Sequence, residues 1–157
     1  MDTHLPRPHG HSALRRGRSS CSGQRYLVTT VTRGRVALFG EWEIGAIAAR
    51  AITDPRLWTS SALLAWVLMP DHWHGLVELG DGDDLPETMR KLKVNVARQL
   101  HVARPELSDV WATGYHDRAL RTEESTVDVA RYIVLNPVRA GLVRRVGEYS
   151  FWDAVWV

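Results

Sequence analysis

The chain has 157 residues, 45% apolar and 24% charged, with a net charge of +2. That length suits one domain with a single core, and no apolar run approaches the roughly 20 residues that span a bilayer. Cys21 is the only cysteine, which excludes an internal disulfide and a cysteine-built zinc site and fits a reducing, cytoplasmic setting.

Residues 1–24, "MDTHLPRPHGHSALRRGRSSCSGQ", are rich in Gly, Pro, Ser, His and Arg and lack apolar periodicity. They are expected to be a disordered basic tail, and without an apolar leader core they give no secretion signal. The first 25 residues hold five arginines and one acid, whereas the other 132 hold 15 Lys/Arg and 17 Asp/Glu. The basic pI of about 9.0 therefore comes from the tail. An arginine tail adds sequence-blind attraction to phosphates or serves only as a solubilising leader. The remaining chain is not a uniformly basic nucleic-acid binder, so a phosphate site there has to be local.

A single domain is expected over 25–157. "RYLVTTVTRG" is β-branched and alternating and predicts a first strand ending at Gly34. "EWEIGAIAARAITD" spaces Trp42, Ile44, Ile47, Ala48 and Ile52 as a helix, with Asp54-Pro55 as its stop. "SALLAWVLM" and "HWHGLVEL" predict two strands joined by a tight Pro70-Asp71 turn. A long helix follows from Leu85 to Arg104, with Met89, Leu92, Val96 and Leu100 inward and Arg90, Lys91, Lys93 and Arg98 outward. "VWATGYHDRALR" predicts a fourth strand, and "STVDVARYIVLN" a short helix halted by Pro137. The order β-α-β-β-α-β-α predicts an α+β sandwich, an antiparallel sheet with helices packed on one face.

The chemistry centres on "MPDHWHGL". Side chains two apart on a strand share a face, so His72 and His74 project together while Trp73 points the other way. Imidazoles placed like that can bind one metal ion or grip one phosphate. A His-x-His alone equally describes two satisfied surface histidines. Further polar partners come from the late helix, where Tyr132 and Asn136 stand four apart and share a face. Taken singly, Tyr132 also reads as a packing tyrosine and Asn136 as an ordinary helix-end residue.

Together, "MPDHWHGL" and the downstream "RYIVLNPVRAGLV" resemble the REP-associated tyrosine transposases, within the single-tyrosine HUH class named for its histidine–hydrophobic–histidine motif. The resemblance runs from "YLVTTVT" to "YSFWDAVW", about 130 residues. It implies a ferredoxin-like, HUH-type sandwich with His72 and His74 on a central strand. It also implies that Tyr132 is the nucleophile and Asn136 the third metal ligand beside His72 and His74. The implied ion is Mg²⁺ or Mn²⁺. The implied substrate is single-stranded DNA at short palindromic hairpins, cut and rejoined through a 5′-phosphotyrosine. A monomer is expected, with a dimer as the alternative, and no membrane partner.

Tyrosine phenol has a pKa near 10, so only roughly 0.1% is phenolate at pH 7, and a nearby cation or base is needed to make it a nucleophile. Further expected DNA contacts are Lys91, Lys93 and Arg98 on the long helix and His116 and Arg118 on the fourth strand. Trp111 and Asp117 belong to the same segment; many relatives have glutamine after that tryptophan, where this chain has Ala112. Tyr115 is a rival nucleophile without a polar partner one turn on. Two other functions fit some of these residues: a hairpin-binding regulator that does not cut, and a metal-dependent hydrolase that uses the histidines alone.

Overall fold

The computed structural model describes residues 22–121 and 124–157; residues 1–21 of the expected tail lie outside them. Strand β1 (Arg25–Val31) alternates as expected for a half-covered strand, with Tyr26, Val28 and Thr30 buried on one side. Pairing extends slightly upstream of β1: the Gly23 N–H donates to the Leu79 carbonyl, and the Leu79 N–H donates to that of Gln24. The order continues with helix α1 (Trp42–Ile52), β2 (Ala62–Met69), β3 (His72–Glu78), α2 (Leu85–Ala103), β4 (His116–Ala119), α3 (Thr126–Val134), α4 (Asn136–Arg139) and β5 (Trp152–Ala154).

The sheet runs β4-β1-β3-β2-β5, and every pair is antiparallel. The first four strands with α1 and α2 make the expected ferredoxin-like βαββαβ unit, and β5 adds a short edge beside β2. Two caps set helix starts: the Asp84 carboxylate accepts from the Glu87 N–H at 2.7 Å, and the Ser125 hydroxyl accepts from the Asp128 N–H at 3.3 Å.

The expectation of helices on one face is corrected, because both faces are covered. Helices α1 and α2 pack with Val28, Leu68, Trp73 and Val77, while α3 packs with Val67, Met69 and Leu76. The reason is visible in β2, "ALLAWVLM", whose last five residues are buried one after another. A strand apolar on both sides needs a cover on each. Burying each such large side chain stabilises the fold by roughly 1.5–3 kcal/mol.

Trp42 is 65% exposed, and α1 brings Gly45 so close to Phe151 that an added Cβ would lie 2.5 Å from its ring. Two local expectations also change. The fourth strand is shorter than 110–121. Trp111 makes only one bridge, to Thr32, and a turn with Gly114 at φ 78° separates it from β4. Pro137 does not simply halt the late helix. It sits in the first turn of α4, where its missing N–H costs nothing, so Asn136 opens α4 and does not close α3.

Candidate functional site

Strand β3 lies in the middle of the sheet, between β1 and β2, and its alternation puts His72, His74 and Leu76 on the α3 side. Trp73 goes to the opposite side and is fully buried. Its indole lies flat over Gly75, where a Cβ would meet the ring at 2.2 Å. The "HWHG" run thus uses one face for a polar pair and the other for a core anchor. The two imidazoles meet edge to face, with ring centroids 4.7 Å apart.

Each ring is held through Nδ1. His72 Nδ1 is 2.6 Å from the Asp71 carboxylate; a carboxylate only accepts, so Nδ1 carries a proton and Nε2 is the nitrogen turned away from Asp71. Asp71 is itself fixed, its carbonyl accepting from the Thr32 N–H at 2.9 Å and the Thr32 hydroxyl at 3.1 Å. Arg35 lies 3.5 Å from the Asp71 carboxylate and has a left-handed backbone, φ 56°, uncommon for a residue with a Cβ. His74 Nδ1 is 2.7 Å from the hydroxyl of its cross-strand partner Thr29. Burial, then the charges of His72, Arg139 and Arg35, push the His74 pKa down to about 4. At neutral pH His74 is therefore an uncharged imidazole, the form that ligates a cation.

These donors fit a divalent ion in part. Two imidazoles, each oriented through Nδ1, present Nε2 atoms in the usual outer-shell arrangement of ligating histidines. Among the described residues no group of three or more His, Cys, Asp and Glu could hold a metal. Further ligands would have to be of another type, such as the Asn136 amide oxygen or a substrate oxygen. Asn136 is half-buried at the start of α4.

The four tyrosines divide sharply. Tyr26 and the rival Tyr115 are buried with the α1/α2 core, and Tyr149 donates its hydroxyl to the Leu68 carbonyl. Tyr132 alone is exposed, at 56%, on the helix that packs over the histidine face. No hydrogen bond or ring contact joins it to either imidazole among the described residues. Its neighbour is Arg139, whose guanidinium carbon lies 3.9 Å above the ring centre and whose Nη2 donates to the Tyr132 carbonyl at 2.6 Å. A cleft of about 500 Å³ opens beside Tyr132, lined by Leu27, Val129, Arg118, Glu124 and Asp128 among others.

The other expected contacts separate into two groups. His116 pairs across from Thr29, and Arg118 from Leu27, so both lie on the histidine face; Arg118 bonds Glu124 at 2.6 Å. Lys91, Lys93 and Arg98 ride on α2, behind the sheet, and are not brought to the histidines. The Lys93 ammonium donates to the Ala112 and Gly114 carbonyls, and Arg98 to the Asn95 side chain. Trp111 packs on Phe39, with ring centroids 5.4 Å apart. Sequence reasoning missed Asp71, Thr29, Arg35 and Arg139. Asp71 adjoins His72, a spacing that was there to be read; Arg139 follows Tyr132 by seven residues across the break between α3 and α4.

Among the described residues no helix is long and apolar enough to cross a membrane. A curated relative, the REP-associated tyrosine transposase of Escherichia coli (strain K12), is 28% identical over 88 residues, 55% of this chain. The chain matches only half of that relative's length. A solved structure of a REP-associated tyrosine transposase bound to a REP hairpin superposes with a TM-score of 0.70 at 24% identity, covering 86% of this chain and 79% of that one, which shows a common fold. The family model "Transposase IS200 like" matches residues 20–136, spanning both histidines, Tyr132 and Asn136, and the chain belongs to that transposase family.

Proposed function

We propose that this chain cleaves and rejoins single-stranded DNA at short palindromic hairpins, with Tyr132 as the nucleophile. The observation that carries this reading is that the one exposed tyrosine rides on the helix packed over the sheet face bearing His72 and His74. The family, and the REP hairpin bound by the transposase of matching fold, support the substrate class.

The Tyr132 oxygen attacks the phosphorus and forms a P–O bond, and the bond to the 3′ oxygen breaks. The phenolic proton passes to solvent, and the departing oxygen leaves as a 3′-OH after taking a proton. One fragment then carries a 5′-phosphotyrosine, which a 3′-OH can attack in reverse, so rejoining needs no ATP. His72, His74 and Asn136 would hold Mg²⁺ or Mn²⁺, whose charge stabilises the phosphate oxygens. Asp71 and Thr29 orient the two imidazoles for that task. One tyrosine holds one strand end at a time, so exchange between two ends reuses Tyr132 or recruits a second protomer.

The test is to incubate the protein with hairpin-bearing single-stranded DNA and Mg²⁺ or Mn²⁺ and to look for an SDS-resistant adduct. Wild type is expected to form it, and Tyr132→Phe to lose it. An adduct that persists in the Phe variant removes Tyr132 as nucleophile. Hairpin binding without any cutting by wild type replaces the enzyme with a regulator, and free 5′-phosphate products without an adduct indicate a hydrolase.

A further inference from the structure

We infer that Arg139 is a further catalytic residue of this site, the cation that binds the scissile phosphodiester as Tyr132 attacks it. The inference rests on the function proposed above and adds a group to it. Arg139 is the last residue of α4, and two contacts tie it to the nucleophile. Its guanidinium lies 3.9 Å over the Tyr132 ring centre, and one of its nitrogens donates to the Tyr132 carbonyl at 2.6 Å. That carbonyl is one of the last four of α3, which have no partner within the helix.

The rest of Arg139 is available. Its remaining N–H groups have no hydrogen-bond partner among the described residues, and no carboxylate pairs with it. The nearby arginines differ: Arg118 is bonded to Glu124, Arg131 to Asp128 and Arg35 to Asp71. A cation thus stands over the ring of the nucleophile, next to the helix that packs over the histidine face.

Attack by Tyr132 forms one P–O bond before the other is fully broken, and negative charge accumulates on the phosphate oxygens between them. A guanidinium with free donors meets that charge with directional hydrogen bonds. It stays protonated throughout, so it takes no proton and adds none to the balance. The stack on Tyr132 holds an otherwise exposed ring in one place, with the cation already over the ring that carries the attacking oxygen. Such preorganised donors are worth most where charge develops in the transition state.

The experiment measures single-turnover adduct formation on hairpin-bearing DNA with Mn²⁺, alongside hairpin affinity, for wild type, Arg139→Ala, Arg139→Gln and Arg139→Lys. Arg139→Ala is expected to slow adduct formation by about 100-fold while hairpin affinity changes less than about threefold, since backbone binding is spread over many contacts. Gln keeps a donor for the Tyr132 carbonyl without the charge and is expected to be as slow as Ala; Lys keeps the charge and is expected to recover about tenfold. Added guanidinium ion should accelerate the Ala variant. Arg131→Ala, next to Tyr132 in sequence but paired with Asp128, should react like wild type. A normal rate in Arg139→Ala overturns the inference, and so does rescue by Gln equal to that by Lys, which would mark a purely structural cap. If wild type itself forms no adduct, the proposed function falls first and Arg139 with it; if wild type reacts and the variants are unaffected, only Arg139 falls.

Discussion

Asp71 and His72 are adjacent in sequence and joined by a 2.6 Å contact between carboxylate and Nδ1. This contact fixes which imidazole nitrogen stays open. Replacing Asp71 with Ala would free the ring to rotate and to exchange tautomers. Mn²⁺ affinity is then expected to fall about 10- to 100-fold, read as free Mn²⁺ by electron paramagnetic resonance. Asp71→Asn keeps an acceptor oxygen and should lose less. Equal affinity in all three proteins would mean that His72 is not a ligand oriented through Asp71.

The face opposite the histidines gives a stability test. Trp73 is 0% exposed, and its indole occupies the space that a side chain at position 75 would need. Gly75→Ala forces the ring into a packed core with no room to move. The expected cost is about 1–3 kcal/mol, the range for overpacking, seen as a lower urea midpoint with a shift in tryptophan emission. Gly147, with no atom within 4 Å of an added Cβ, is the control and should tolerate Ala. A Gly75→Ala protein as stable as wild type would contradict the close approach of the indole.

Much of this arrangement was legible in the chain because it rests on local periodicity. The period of two in "HWHGLVEL" put both histidines on one face, and "SALLAWVLM" next to it forecast a hairpin. Which side of the sheet a helix covers is not local information. The buried run Ala65–Met69 hinted that two covers were needed, yet only tertiary packing assigns α3 to the histidine side. The same limit hid Arg139, whose meaning depends on α4 turning its guanidinium back over Tyr132. Lys93 shows the same limit, since a basic residue on a helix gives no sign that the Ala112 and Gly114 carbonyls will accept from it.

Tyr149 sets an alkaline limit. Its hydroxyl donates to the Leu68 carbonyl, and burial pushes its pKa up to about 12. In the unfolded chain the phenol ionises near the ordinary value of 10.0. The folded state therefore favours the protonated form, and this contribution is complete below pH 10. It is lost as pH rises from 10 to 12, because the unfolded state releases its proton first. Tyr149→Phe should remove that part of the alkaline decline in denaturation midpoint while losing about 1 kcal/mol at neutral pH from the missing hydrogen bond. An unchanged alkaline slope in the Phe variant would rule out Tyr149 as its source.

Lys93 distinguishes support of the fold from contact with DNA. Its ammonium donates to the Ala112 carbonyl at 2.8 Å and the Gly114 carbonyl at 2.9 Å, anchoring the turn that leads into β4. Lys93→Met keeps most of the stem but leaves those two carbonyls without that donor. A loss of about 1.5–3 kcal/mol is expected, the range for a hydrogen bond to a charged group, with faster amide exchange in residues 112–119. Because β4 carries His116 and Arg118 on the histidine face, loosening the turn should reach the site indirectly. The discriminating measurement is the salt dependence of hairpin binding, whose slope counts the phosphates neutralised. Lys93→Met should leave that slope unchanged, whereas loss of a direct phosphate contact would lower it by nearly one. A lower slope in a protein of unchanged stability would return Lys93 to the DNA interface and move the bound strand around the edge of the sheet toward α2.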